Sequence, residues 1–174
     1  GLLWEPLDLG FKEPFVEAIV LSPSFSTDGT MYVGTFEKGV LRSTDRGNTW
    51  VEVNEGFVGF NSGNIFALAL SPTFDTDRTI FAGTFEDGVF RSVNGGDTWQ
   101  PVNNGLDNKS VQTLRLSPNF ANDSTLFAGT AGDGLFRSLN GGDSWHEANK
   151  GLPFNTGRTL ELSSRFAIDD TMFI

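Results

Sequence analysis

One spacing recurs along this sequence and constrains its fold more than any other feature. A leucine that opens a Leu-Ser-Pro string is followed 29 residues later by a tryptophan, and the three pairs are Leu21 and Trp50, Leu70 and Trp99, and Leu116 and Trp145. A fourth string starts at Leu162, where a serine replaces the proline. Successive copies lie 46 to 49 residues apart, a period typical of proteins built from repeated structural units.

Each copy contains four short apolar strings separated by Gly, Asn, Asp, Ser and Pro. In the second copy they predict strands over Ile65–Leu70, Thr79–Thr84, Gly88–Ser92 and Thr98–Val102. Four strands in a repeat of this length predict an all-β fold, a β-propeller of four-stranded antiparallel blades. The glycine of the second strand, such as Gly83, is expected to let a neighbouring segment come close.

The repeat divides the chain into about three and a half blades. Residues 1–15, with Trp4, are expected to end a preceding blade. Residues 16–55, 65–104 and 111–150 form whole blades, and residues 159–174 begin a further one. Because the two incomplete blades together lack a strand, the chain is predicted to be a single segment of a propeller of about six to eight blades. The competing expectation is self-association through open blade edges.

Charge and composition exclude several classes of partner. The formal net charge is −10, from 12 basic and 22 acidic side chains, so the basic stripe that a nucleic-acid-binding protein needs is missing. An anionic membrane surface would repel the chain, and no stretch approaches the roughly 18 apolar residues of a membrane helix. There is no cysteine, which rules out disulfides and thiolate metal sites. A signal peptide is expected to have been removed or to lie upstream.

One eight-residue motif closes each blade. Ser43–Trp50 follows the pattern Ser-x-Asp-x-Gly-x-Thr-Trp, Ser92–Trp99 repeats it with Asn94 in place of Asp, and Ser138–Trp145 repeats it with Asn140 and Ser144. The motif resembles the Asp-box of BNR-repeat propellers in the sialidase-like superfamily. Relatives there include sialidases, xyloglucanase-type glycosidases, sortilin-type propellers and the photosystem II assembly factor propeller. In that family these hairpins join strands three and four, away from the usual active site.

The residue types of the motif predict a structural role. An Asx side chain accepts backbone N–H bonds in a turn, glycine adopts positive φ, and the tryptophan is expected to fill the gap between blades. The predicted structural positions are Ser43, Asp45, Gly47, Thr49, Trp50, Ser92, Asn94, Gly96, Thr98, Trp99, Ser138, Asn140, Gly142, Ser144 and Trp145.

A second recurring element, Phe-x-x-Asp-x-Thr, joins strands one and two at the same end of the blade. Its aspartate either caps a turn or contributes to a calcium site. The best calcium candidates are the pairs Asp75 with Asp77 and Asp169 with Asp170. Calcium takes six to eight oxygen ligands, which these loops do not supply alone, so the turn interpretation is favoured and no cofactor is expected.

Ligands of propellers usually bind at the opposite end, near the central channel. Aromatic and acidic side chains recur in the loops there, and an extended linker at 56–64 adds two phenylalanines expected to be exposed. The candidate ligand-face residues are Phe36, Glu37, Phe57, Phe60, Phe85, Glu86 and Asp133. They would suit a protein or glycan ligand. The alternative is solvated turns in which phenylalanine covers the blade edge.

No catalytic residue is predicted. A glycosidase needs two carboxylates at a defined separation, and no pair stands out from the repeat. Arg42, Arg91 and Arg137 occupy one repeat position in separate blades, unlike a sialidase arginine cluster. Tyr32 stands where the other copies have phenylalanine, and His146 has no evident Ser or Cys partner. No residue set breaks the repeat symmetry as an active site would.

The leading hypothesis is therefore a secreted or cell-surface propeller that binds or scaffolds without catalysis. The alternative is a fragment of a carbohydrate-active enzyme such as a xyloglucanase-like glycosidase.

Overall fold

The computed structural model describes residues 3, 8–10, 15–59, 63–153 and 157–174. Trp4, most of the segment predicted to end a preceding blade, and Phe60 lie outside the described residues.

Three four-stranded antiparallel sheets and one two-stranded sheet follow one another along the described chain, each with its strands in sequence order. The first sheet comprises β1 (Val16–Leu21), β2 (Met31–Thr35), β3 (Val40–Ser43) and β4 (Val51–Glu52). The second comprises β5 (Ile65–Leu70), β6 (Ile80–Thr84), β7 (Val89–Ser92) and β8 (Gln100–Pro101). The third comprises β9 (Val111–Leu116), β10 (Leu126–Thr130), β11 (Leu135–Ser138) and β12 (His146–Glu147). The fourth pairs β13 (Glu161–Leu162) with β14 (Met172–Phe173). The prediction of an all-β propeller with four-stranded antiparallel blades is confirmed.

The last strand of the second sheet is shorter than the sequence predicts. In the second sheet the predicted strand Thr98–Val102 is reduced to β8, because the Trp99 backbone N–H turns away from the sheet. It donates a 2.8 Å hydrogen bond to the carbonyl of Glu55, in the linker before that sheet. The outer strand is therefore used partly to attach one sheet to the preceding one.

Single helical turns connect the first and second strands of each sheet. They are α1 (Phe25–Asp28), α2 (Phe74–Asp77), α3 (Phe120–Asp123) and α4 (Phe166–Asp169). In α2, the Asp77 carboxylate accepts hydrogen bonds from the Thr79 backbone N–H at 2.8 Å and from the Ser71 hydroxyl at 2.5 Å. The same pair of bonds recurs in the other three turns. The aspartate thus closes the turn, as the favoured interpretation expected.

The core lies between neighbouring sheets. The second strands β2, β6 and β10 are buried at every residue. An aromatic residue of each meets the phenylalanine of the next sheet's helical turn edge to face, with ring centroids 5.5 to 5.9 Å apart, in the pairs Tyr32–Phe74, Phe81–Phe120 and Phe127–Phe166. These geometries are favourable for aromatic pairs. Each interface between two neighbouring sheets, called a joint below, therefore repeats the same packing.

The glycine of the second strand allows the first strand of the next sheet to approach. A Cβ atom built on Gly83 would lie 2.6 Å from Val111 Cγ1, and one on Gly34 would lie 2.7 Å from Ile65 Cγ2. Both separations are far below van der Waals contact. The close approach expected of this glycine is confirmed, and it places β1, β5 and β9 side by side along the inner surface.

Candidate functional site

The first strands of the four sheets line the concave inner surface. A cavity of about 430 Å³ opens at the end where these strands begin, and it is lined by Glu17, Phe66, Gln112 and Arg158. A second cavity of about 300 Å³ continues along the same strands past Thr113 and Arg115. The surface corresponds to the central channel of a propeller.

The four side chains at this mouth occupy one position of the repeat. Each lies four residues before the repeat leucine, yet the four copies carry an acid, an aromatic ring, an amide and a guanidinium. The repeat symmetry is therefore not preserved at this position. Aligning the copies of the sequence at this position reveals the variation. That the four side chains line a common cavity follows only once the first strand of each sheet is known to be the innermost.

Exposed aromatic side chains extend the mouth. Phe36 is 38% exposed and borders a further cavity of about 260 Å³ with Phe15 and Glu17. Phe85 is 36% exposed, and its ring meets that of Phe66 edge to face at 5.6 Å. The structure thus brings two of the predicted ligand-face residues to the same mouth as the four unlike side chains.

The predicted acidic residues of this face, Glu37, Glu86 and Asp133, are exposed. Glu37 adopts a φ of 78°, and its backbone N–H donates a 2.8 Å hydrogen bond to Asn64 Oδ1. The left-handed conformation is unfavourable for a non-glycine residue, so neighbouring contacts hold this loop in place.

An asparagine that sequence reasoning missed secures each of these loops. In the second sheet, Asn103 Oδ1 accepts a 2.7 Å hydrogen bond from the Val89 N–H, and its Nδ2 donates to the Asp87 carbonyl at 3.0 Å. Asn54 and Asn149 make the equivalent pairs of bonds. The signal in the sequence was an asparagine that recurs four residues after the motif tryptophan in every copy.

Phe57 is not an exposed recognition residue, and that prediction was wrong. Its ring stacks on Trp99 with centroids 4.8 Å apart and meets Phe90 edge to face at 4.9 Å. Phe57 stands at the repeat position that Leu106 and Leu152 occupy in the later copies, and all three pack in the core between sheets. Phe60, from the same linker, lies outside the described residues.

The side chains of the eight-residue motif are engaged within their own hairpins. Ser43 Oγ accepts a bond from the Gly47 N–H at 2.8 Å, and Asp45 accepts bonds from the Thr49 N–H at 2.9 Å and the Thr49 hydroxyl at 2.6 Å. The hydrogen bonds from Thr49 and Ser43 hold the pKa of Asp45 below its ordinary value. The hairpins of Ser92–Trp99 and Ser138–Trp145 keep the bonds from the backbone N–H groups. In them the asparagine Nδ2 donates to the hydroxyl of Thr98 or Ser144, the reverse of the Thr49–Asp45 bond. The central glycines Gly47, Gly96 and Gly142 have φ of 88°, 90° and 94°.

The arginines of the third strands do not converge on one site. Arg42 Nη1 donates to the carbonyl of Gly95 at 2.9 Å and to Asp97 at 2.7 Å, both in the turn of the Ser92–Trp99 hairpin in the next sheet. The Tyr32 hydroxyl donates to the same Gly95 carbonyl at 2.7 Å, and burial raises the pKa of this phenol. Arg42 and Tyr32 therefore join two sheets, which leaves neither free to act on a ligand in the channel.

The calcium candidates have other contacts. Asp77 is bonded within α2, and Asp75 accepts a hydrogen bond from the Ser24 hydroxyl of the preceding sheet. Asp169 closes α4 in the same way as Asp77, and Asp170 ends that turn with a φ of 48°. Within the described part of the chain, no group of three or more His, Cys, Asp or Glu side chains is placed to hold a metal ion.

Comparison with known proteins supports the fold. An ancestral GH74 enzyme superposes with a TM-score of 0.62 at 27% sequence identity, over 84% of this chain and 19% of that one. The extracellular domain of a one-component system from B. thetaiotaomicron gives 0.63 at 18% identity, over 92% and 20%. The structure of YCF48 bound to D1 peptide gives 0.59 at 19% identity, over 94% and 50%.

These similarities define the class of the molecule as part of a β-propeller. The chain spans about one fifth to one half of the length of these structures. No protein-family model and no curated protein matches it. Among the described residues, none of the helices has the length and apolar character needed to cross a membrane.

Proposed function

We propose that the chain is part of a non-catalytic propeller of the Asp-box type that binds a protein segment at the mouth of its channel. The observation that carries this proposal is the one repeat position at which Glu17, Phe66, Gln112 and Arg158 line a single cavity. A repeat that keeps its structural residues but varies its channel-lining ones resembles a scaffold with a specific site.

The chemistry of the mouth suits a peptide. Glu17 and Arg158 offer charges of opposite sign, Gln112 can both donate and accept hydrogen bonds, and Phe66 offers an apolar surface. An extended peptide presents amide groups, charges and apolar side chains together. A glycan would use the rings and the carboxylate but would leave the guanidinium with less to bind. Proteins are therefore the preferred partners.

Two of the similar solved structures support binding and an extracellular location. YCF48 is a propeller solved with a bound peptide, and another neighbour is an extracellular domain. We extend both features to this chain as parts of the proposal, together with a secreted or cell-surface location and a complete ring of about six to eight blades.

Peptide selection with matched variants tests this function. Peptides would be selected from a displayed random library on the immobilised chain, and the affinity of a selected peptide measured by calorimetry. Arg158→Glu is expected to weaken binding at least about tenfold, because reversing the charge of a group that contacts the ligand replaces attraction by repulsion. Arg165→Glu is the matched control, because Arg165 is exposed at the opposite end of the sheets. Equal losses from both variants, or no loss from Arg158→Glu, would contradict the proposal.

A second candidate function is a fragment of a glycoside hydrolase. It is favoured by the similarity to a GH74 enzyme and by Glu17 lying beside the exposed rings of Phe15 and Phe36. Such enzymes need two carboxylates, whereas Glu17 is the one carboxylate among the described residues that line the two channel cavities. Hydrolysis of a polysaccharide panel that Glu17→Gln abolishes would replace the binding proposal by this one.

A further inference from the structure

A β-bulge carries the mouth residue in each complete sheet. The pairing between the first and second strands shifts register there and skips one residue, and the three skipped residues are Glu17, Phe66 and Gln112. A bulge bends its strand and redirects a side chain, and such features are common beside functional sites. The repeat therefore keeps one backbone device in three sheets and changes the chemistry of the side chain that it directs into the channel.

Two of the four mouth residues offer charges that the protein itself does not neutralise. Glu17 and Arg158 are exposed, and no hydrogen bond or ion pair joins either side chain to another residue in the described part of the chain. Arg115, which lines the neighbouring cavity, differs, because its Nε donates to Glu161 Oε2 at 3.1 Å and its Nη1 donates to the Leu114 carbonyl at 2.9 Å. The carboxylate and the guanidinium available to a ligand at the mouth are therefore those of Glu17 and Arg158.

The apolar member of the mouth is held in one orientation. The Phe66 ring meets the Phe85 ring edge to face with centroids 5.6 Å apart, and the Phe85 backbone N–H donates a 3.0 Å hydrogen bond to the Asn64 carbonyl. A side chain that is already ordered loses little conformational entropy when a ligand binds. Phe85 is therefore a positioning residue, and Phe66 is the apolar surface that meets the ligand.

The four residues stand in a fixed order around the channel. The sheets follow one another along the chain, with β1, β5 and β9 side by side on the inner surface. The mouth therefore runs from Glu17 in the first sheet, through Phe66 and Gln112, to Arg158 in the fourth, and the two charges lie at opposite ends of one cavity. A ligand with two like charges would be attracted at one end and repelled at the other, and such repulsion gives selectivity.

We propose that the mouth selects a peptide segment with one basic and one acidic side chain on opposite sides of an apolar one. The basic side chain pairs with Glu17, and the acidic one pairs with Arg158. The apolar side chain packs on Phe66, and Gln112 bonds to an amide group of the peptide backbone. This inference rests on the proposed function, binding of a protein segment, and narrows it to segments with that charge pattern.

Peptide selection on three forms of the chain tests the proposal. A displayed random peptide library would be selected on the parent chain, on Glu17→Lys and on Arg158→Glu. The parent should yield segments with one basic and one acidic side chain, Glu17→Lys segments with two acidic ones, and Arg158→Glu segments with two basic ones. Because the formal net charge is −10, long-range attraction alone would enrich basic segments on all three chains. A change of pattern between the chains therefore identifies pairing at the mouth.

Charge exchange measures the pairing at one end. Replacing the acidic side chain of a peptide selected on the parent by lysine should weaken its binding to the parent at least about tenfold and restore it on Arg158→Glu, because each exchange switches one contact between attraction and repulsion. Calorimetry measures both affinities, and their difference should shrink at high salt, where exposed charges are screened. Phe66→Ala should weaken every selected peptide. Arg165→Glu, at an exposed arginine of the opposite end, should change neither the pattern nor the affinities.

The outcomes separate this inference from the proposed function. The same charge pattern on all three chains, or no restoration of binding on Arg158→Glu, would overturn the inference and leave binding of a protein segment standing. A selection that yields no binder on the parent chain would overturn the proposed function and this inference with it.

Discussion

The indole Nε1 of Trp99 donates a 2.8 Å hydrogen bond to the carbonyl oxygen of Val53, which belongs to the preceding sheet. Trp145 makes the equivalent 2.7 Å bond to Val102. Each of these side chains is 2% exposed or less, so each stabilises the joint between two sheets rather than its own hairpin. Trp50 differs, because its Nε1 donates to Gly47 within the same turn at 3.1 Å and its ring is only half-buried.

The three tryptophans should therefore contribute unequally to stability. Trp99→Ala is expected to lower the free energy of unfolding by about 3–5 kcal/mol, the range for truncating a buried aromatic side chain. Trp50→Ala should cost clearly less. Denaturant unfolding of both variants measures the difference, with Trp99→Phe as the control that keeps a ring but removes the N–H. Equal costs for Trp50 and Trp99 would contradict this assignment.

Acid should weaken the helical turn closed by Asp77. Burial alone would raise the pKa of this carboxyl, but hydrogen bonds from Ser71, Thr79 and Thr73 outweigh it and the net pKa is lowered. A pKa lower in the folded than in the unfolded state adds stability above the unfolded value, near 4, and this stability is lost as pH falls through the folded value.

Asp77→Asn should accordingly lower the free energy of unfolding at pH 7. Between about pH 5 and pH 2, the variant should lose less stability than the parent protein does. Denaturant midpoints across that range measure the slope. Asp107→Asn, at an exposed loop residue, is the control and should leave both quantities unchanged. A variant as acid-sensitive as the parent protein would show that other carboxyls cause the pH dependence.

Local patterns predicted the strands, the turns and the closing aspartates because each depends on residues close in sequence. The packing of Phe57 against Phe90 and Trp99 could be predicted only by aligning the repeats, because Phe57 stands where the later copies have the core residues Leu106 and Leu152. The channel mouth could not be predicted in this way. Its members lie about one repeat apart, and only the inward position of the first strands brings them together.

Asn103 should be important for the loop beside the channel mouth. Asn103→Ala removes the acceptor for the Val89 N–H and the donor to the Asp87 carbonyl. We expect a cost of about 1–3 kcal/mol, because partly buried backbone groups lose their partners. Asn104→Ala is a matched control at the adjacent, exposed position. Denaturant unfolding compares the two, and a cost for Asn104→Ala as large as for Asn103→Ala would refute the assignment.

The residue that ends each helical turn gives a pair of opposite predictions. Gly29 holds this position after α1 with a φ of 63°, whereas Ser124 holds it after α3 with a φ of 49°. Because the left-handed conformation is strained for residues with a Cβ, Ser124→Gly should raise the free energy of unfolding by about 0.5–1 kcal/mol. Gly29→Ser should lower it by at least as much, since a Cβ there would lie 3.1 Å from Arg46 Cγ and 3.2 Å from the Arg46 nitrogen. Chemical unfolding of the two variants measures both signs. A loss of stability in Ser124→Gly would mean that the serine side chain contributes more than the strain costs.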